Sequence, residues 1–155
     1  MLNRFARFSL AISEIDRCWH KLAAEEMAKY GLNSPHTVYL NTLYQHEDGI
    51  TAAKLSELCC KNKADVSRMI SIMEQKGLVQ KESASGNMYR ALLKLTDKGK
   101  AAARHVQERA ALAVELAGAG LSDADRDTLY RSLDLITANL QKLSKTGLPE
   151  KTVEG

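Results

Sequence analysis

Ile50–Lys81 reads ITAAKLSELCCKNKADVSRMISIMEQKGLVQK, and past a short polar loop Tyr89–Lys100 reads YRALLKLTDKGK. Thr51 is placed to cap a short helix running from Ala52 to about Cys59, with Leu55 and Leu58 as its inward face. Lys61-Asn62 makes a polar corner. Val66, Met69, Ile70 and Met73 then recur at steps of three and four, which predicts a second helix from Lys63 to about Lys76, stopped by Gly77. Leu78–Glu82 reads as a strand, Ser83–Asn87 as a turn and Tyr89–Leu95 as the returning strand. The order is helix, turn, helix, wing. It is one way of laying a helix in the major groove of DNA.

The charge follows the same boundaries. Residues 1–49 carry net −1, residues 50–100 net +5 and residues 101–155 net −1, within a chain total of +3. A small net charge concentrated in one third of a chain is an electrostatic footprint for a polyanion. The charge alone is equally compatible with a solvated basic surface.

Outward from this stretch, Phe5, Phe8, Ile12, Ile15, Trp19, Leu22 and Ala23 are spaced by three or four, with one single step at the end, and predict one long amphipathic helix ended by Gly31. Ser34-Pro35 then opens a second helix, with Ser34 as its cap and Val38, Leu40, Leu43 and Tyr44 toward the core. Thr96 caps a fifth, alanine-rich helix running to about Ala117, and Gly118-Ala119-Gly120 breaks it. Ser122 and Asp125 are spaced as a capping box for the last helix. There Leu129, Leu133, Ile136, Leu140 and Leu143 step by 4, 3, 4, 3, a heptad seam. The expected architecture is mainly α with a small β-wing, a winged helix-turn-helix flanked by N- and C-terminal dimerisation helices. Residues 1–33 and 101–147 supply the dimerisation helices, 34–100 the DNA-binding unit and 148–155 a loose tail, all in one domain. The terminal stripes must be buried, either on each other or on a second copy; the heptad seam favours the copy.

Composition narrows the class. The 45% hydrophobic and 26% charged fractions are those of an ordinary soluble protein. The N-terminus has arginines inside its apolar run and no small-residue cleavage site, unlike a signal peptide. No run approaches the roughly 18 apolar residues of a membrane span. Of the three cysteines, Cys59 and Cys60 are adjacent and ill placed to bridge each other, which suits a reducing, cytoplasmic setting. No Gly-rich phosphate loop, nucleophile elbow or clustered acid–base set points to an enzyme. His20, His36, His46 and His105 are scattered, without the i, i+4 spacing of a metal site or a Cys-x-x-Cys, so neither metal nor cofactor is expected.

The motifs KADVSR (Lys63–Arg68), EQKGLV (Glu74–Val79), LTDKG (Leu95–Gly99) and LSDAD (Leu121–Asp125), in that order and spacing, resemble the MarR family of bacterial transcription regulators. The layout of helices around them matches over almost the whole chain. The resemblance implies an obligate homodimer binding a palindromic operator on double-stranded DNA, mostly as a repressor released by a small signal molecule. It also implies that the fourth helix is the recognition helix, with Asn62, Lys63, Ala64, Asp65, Ser67 and Arg68 toward the major groove. Arg68 can fork onto a guanine edge or grip phosphate. Ser67 and Lys63 suit the DNA backbone, as do Thr51 and Lys54 at the start of the third helix. Asp65 can accept from a cytosine amine or simply complement the helix dipole. Ser71 and Gln75 lie further along. In the wing the family's Asp-x-Arg element falls on Asn87 and Tyr89. Arg90, one residue on, would face the other way unless the register shifts.

The signal is less legible. The peroxide-sensing branch carries a cysteine in the first helix and a partner tyrosine in the second. Counting back from Pro35, their places fall on Ser9 and Thr37, so Cys18 does not match. Cys60, beside the corner, is open to oxidation. An organic effector could lie where the dimer helices meet the winged unit, against Trp19, Tyr30, His36, Tyr39 and Tyr44, which have apolar faces and polar tips; for any one of them, simple core packing is the favoured reading. The alternatives to a sequence-reading regulator are a winged-helix protein-interaction module and an architectural DNA-binding protein without sequence preference.

Overall fold

Helix-forming composition and regularly placed caps give α1 (Arg4–Ala28), α2 (His36–Tyr44), α3 (Ala52–Cys59), α4 (Lys63–Gln75), β1 (Val79–Glu82), β2 (Leu92–Leu95), α5 (Asp97–Ala117) and α6 (Asp123–Thr146). This is a computed structural model, and it describes residues 3–83, 86 and 90–150. The chain divides into two units, Met1–Leu112 and Ala113–Gly155, with the boundary inside α5.

In the first unit the core draws one face from each element. Met27 of α1, Leu40 and Leu43 of α2, Leu55 of α3, Val66, Ile70 and Met73 of α4, and Ala102, Ala103 and Val106 of α5 are buried together. The returning chain alternates as a sheet with one covered face must: Ala91, Leu93 and Leu95 are buried between the partly covered Leu92 and Lys94, whereas β1 buries only Val79. β1 and β2 pair antiparallel, Val79 opposite Leu95 and Glu82 opposite Leu92. Ile50 adds to the free edge of β2, its N–H donating to the Leu93 carbonyl at 3.2 Å and its carbonyl accepting from the Leu93 N–H at 2.8 Å. The sheet therefore has a third, one-residue member before α3, which the apolar spacing around Ile50 does not announce.

Several expectations need correction. Ser34 does not cap α2. Its carbonyl accepts from the Thr37 N–H in a tight turn, and the helix starts after Pro35, which occupies the cap position without a side-chain bond. Val38 and Leu58 are exposed, and the buried neighbours are Tyr39 and Cys59. Leu40, Leu43 and Leu55 are buried as expected, so each of these short helices departs from its expected face at one position. Leu78 is not yet strand: its N–H donates to the Met73 carbonyl at 2.9 Å, closing the end of α4 around Gly77 at φ 73°. The returning strand begins at Leu92, so Arg90 and Ala91 precede it.

A joint follows from the same region. The Thr96 hydroxyl donates to the Gly77 carbonyl at 2.6 Å and accepts from the Gly99 N–H at 3.0 Å. The first turn of α5 lies so close that a Cβ on Gly99 would stand 2.0 Å from the Leu78 carbonyl oxygen. The KGL and LTDKG signatures are two halves of this one contact.

In the second unit the Ser122 hydroxyl accepts from the Asp125 N–H at 3.2 Å and the Asp125 carboxylate answers to the Ser122 backbone, the expected capping box. Arg126 reaches back to Glu115 at 3.1 Å and to the Gly118 carbonyl at 3.1 Å, which fixes the α5–α6 turn. None of the α6 residues is buried.

Candidate nucleic-acid interface

α3 and α4 meet at a corner built by three local devices. The Thr51 hydroxyl accepts from the Lys54 N–H at 3.2 Å and starts α3. Cys60 ends it in the left-handed region, φ 52° and ψ 43°, while the Ser56 hydroxyl donates to the Lys61 carbonyl. The Asn62 side chain then accepts from the Asp65 N–H at 2.8 Å and starts α4. Its role as a cap was readable from Asn62-x-x-Asp65, a pattern the sequence reading passed over in favour of a DNA contact.

Burial of Val66, Ile70 and Met73 fixes the rotation of α4. Lys63, Ala64, Ser67, Arg68, Ser71 and Gln75 consequently lie on its exposed face, with Asn62 at its head and Asp65 half-covered. The predicted set is thus brought onto one surface, with one buried stripe opposite. Arg68 pairs through Nη2 with the Asp65 Oδ1, yet its side chain keeps 67% of its exposure. Lys54 pairs with Glu57 at 3.1 Å. Lys61 and Lys63 are exposed, and among the described residues neither has an ion-pair partner. Lys61, expected only as part of the corner, belongs with this basic surface as well. Directly behind α4 is the fully buried Tyr39 of α2. Burial pushes its phenol above the ordinary range, Cys59 and Asp65 add to the rise, and Arg68 opposes it.

In the wing, Lys81 pairs with Glu74 at 3.3 Å and Lys94 with Glu82 at 2.9 Å, tying the ribbon to α4 and to itself. Arg90 is exposed. Asn87 and Tyr89 lie outside the described residues.

The five residues suggested for an effector have different surroundings. Tyr39 is in the core, Tyr30 and Tyr44 pack against it, and Trp19 is exposed on α1. Tyr30 meets His105 edge to face at 6.2 Å. His36 is buried, and burial lowers its pKa, with the Asn33 hydrogen bond acting the other way. Its Nδ1 accepts from the Asn33 N–H at 3.2 Å, which leaves the proton on Nε2, and among the described residues Nε2 has no partner. Thr37 Oγ1 and Asn41 Oδ1 on the same helix are buried and unpartnered as well. A separate open cleft of about 540 Å³ lies between the sheet and the start of α5, lined by Glu47, Gln80, Lys94, Asp97, Lys98 and Lys100 among others. It contains none of the five.

Among the described residues no group of three or more His, Cys, Asp or Glu could hold a metal ion. No described helix is long and apolar enough to cross a membrane. All three cysteines are free, Cys59 buried and Cys18 and Cys60 exposed.

No curated protein matches the sequence. Among solved structures, a MarR transcriptional regulator from Methanosarcina mazei superposes with a TM-score of 0.75 at 22% identity, over 92% of this chain and 94% of its own. A MarR-family protein from Listeria monocytogenes, solved complexed with a 26mer DNA, gives 0.71 at 21% identity over 97% and 99%. A transcription regulator of the Staphylococcus aureus multidrug efflux pump MepA gives 0.71 at 17% identity over 86% and 98%. These likenesses show a shared fold. The family model described as MarR family matches residues 32–99, from the α1–α2 turn to the first turn of α5. Residues 32–99 therefore match the MarR family model, and the chain has the winged-helix fold of the MarR regulators on which it superposes.

Proposed function

We propose that this chain is a sequence-specific DNA-binding transcriptional regulator, a homodimeric repressor that reads a palindromic operator through α4 and is released by a small organic ligand. The observation that carries the reading is the solvent face of α4. It presents Lys63, Ser67 and Arg68 in one stripe, within the third of the chain that holds net +5. The Listeria relative was solved complexed with DNA, and the Staphylococcus relative regulates a multidrug efflux pump. Both descriptions agree with this assignment. Dimerisation is supported by the uncovered apolar faces: Phe5, Ile12, Ile15 and Trp19 on α1 and Leu129, Leu133 and Leu140 on α6 are all more than a third exposed. A ligand is supported by the unpartnered polar atoms of His36, Thr37 and Asn41, because buried polar groups normally find partners.

The test is selection from a library of random duplexes at fixed moderate salt. Enrichment of a palindrome with half-sites about one helical turn apart is expected. Salt-sensitive binding without an enriched motif would instead identify an architectural protein. Absence of binding would identify a protein-interaction module.

A further inference from the structure

Asp65 is an unexpected residue on a DNA-reading face. Its carboxylate carries the same sign as the phosphates, so electrostatics alone would favour its removal. Its position is closely determined. The Asp65 N–H donates to the Asn62 side chain at 2.8 Å, fixing the first turn of α4. One turn further on, Asp65 Oδ1 accepts from Arg68 Nη2. The buried Tyr39 lies near enough for the charges of both Asp65 and Arg68 to act on its phenol. Asp65 itself is half-covered, its side chain 34% exposed against 67% for Arg68. The pair therefore has an anchored member and a projecting member. Arg68 spends one donor on the anchor and keeps the rest of its planar fork outward, where a guanine edge needs two parallel N–H groups.

We propose that Asp65 is a positioning residue, which clamps the Arg68 guanidinium in one orientation so that α4 discriminates bases instead of merely gripping phosphate. This rests on the reading of α4 as a DNA-reading helix. A long arginine in a basic face has many rotamers, and most of them can reach a phosphate. A carboxylate three residues earlier removes those rotamers at the expense of some general attraction. The result is weaker binding to arbitrary DNA and sharper preference among sequences.

The predicted signature runs opposite to that of a lost contact. Asp65→Asn in the full-length protein should bind random duplex several-fold more tightly, since a repelling charge is gone. Its preference for the selected motif over random duplex should fall about tenfold, the scale of one bidentate base contact. Arg68→Ala should lower the same preference, and adding Asp65→Asn to it should lower it no further, because Asp65 acts through Arg68. Fluorescence anisotropy on both duplexes at one salt concentration reads all four proteins. Asp65→Ser serves as the second variant if the first fails to fold by circular dichroism, serine being a polar residue suited to a first turn. If the wild type itself prefers no motif, the DNA-reading assignment fails and this inference with it. If the wild type prefers a motif and Asp65→Asn keeps that preference, only the clamp is overturned. If Asp65→Asn costs as much preference in the Arg68→Ala background as alone, Asp65 touches a base itself and the clamp is likewise overturned.

Discussion

Glu26 on α1 gathers Lys29 at 2.5 Å, Arg109 at 3.0 Å and His105 at 3.3 Å around one carboxylate that is only 16% exposed. Its pKa falls to about 2, chiefly through the Lys29 hydrogen bond, with burial working against the shift and Arg109 reinforcing it. A carboxyl with a depressed folded-state pKa stabilises fully above its unfolded value and loses that contribution as pH falls toward the folded one. Glu26→Gln should therefore cost about 1 kcal/mol at neutral pH, its partners being half-exposed and screened. The gap between variant and wild type should narrow as pH drops below 4.5 toward 2, the interval between the two pKa values. Urea melts of both proteins at pH 7, 5 and 3.5 would show it. Cys60 offers a second test, since a side chain at φ 52° occupies a conformation that suits glycine. Cys60→Gly should hold or raise stability by up to about 1 kcal/mol, whereas Cys60→Val should lower it by about 1–2 kcal/mol, both read by thermal melting.

At the scale of elements, the α4–α5 joint carries the sharpest steric demand. Gly99→Ala would drive a methyl into the Leu78 carbonyl, which is main chain and cannot swing aside. A cost of about 1–3 kcal/mol is expected, the range of overpacked interiors. It should appear as a lowered melting temperature with the helical spectrum retained. Most helix starts made by their own residues were legible from the chain, the starts of α2 and α4 being the exceptions. Thr51, Thr96 and the Ser122–Asp125 box cap the helices they were expected to cap. Where an end is made by a distant partner, the reading slipped. Ile50 joins the sheet through Leu93, far along the chain, whereas Leu78 slipped for a local reason, its N–H closing the end of α4 onto the nearby Met73 carbonyl. Each short helix was misread at one position because it is short. The buried residues of α2 (His36, Tyr39, Leu40, Leu43) and of α3 (Leu55, Cys59) span about two turns at most, and period counting over so little chain cannot separate Val38 from Tyr39 or Leu58 from Cys59. For the residues proposed to meet DNA the longer α4 was unambiguous, because Val66, Ile70 and Met73 span two turns.

For the whole molecule, the terminal helices present apolar residues that nothing in the described chain buries. Ile15 is 64% exposed and lies mid-way along α1. If a second copy covers this face, Ile15→Asp should sediment at the 17.1 kDa of one chain, while the unaltered protein sediments at about double that mass. Retention of the helical spectrum would show that the substitution acts on assembly and not on the fold. The Ile50–Leu93 bridge has a mechanical consequence at this scale. Tension applied between the two outer helices of the first unit, α1 and α5, runs through α2 to Ile50, crosses two hydrogen bonds to Leu93, and leaves along β2. The main chain of α3, α4 and β1 lies off that path and shares its load only sideways, through the β1–β2 pairing and the Thr96–Gly77 joint.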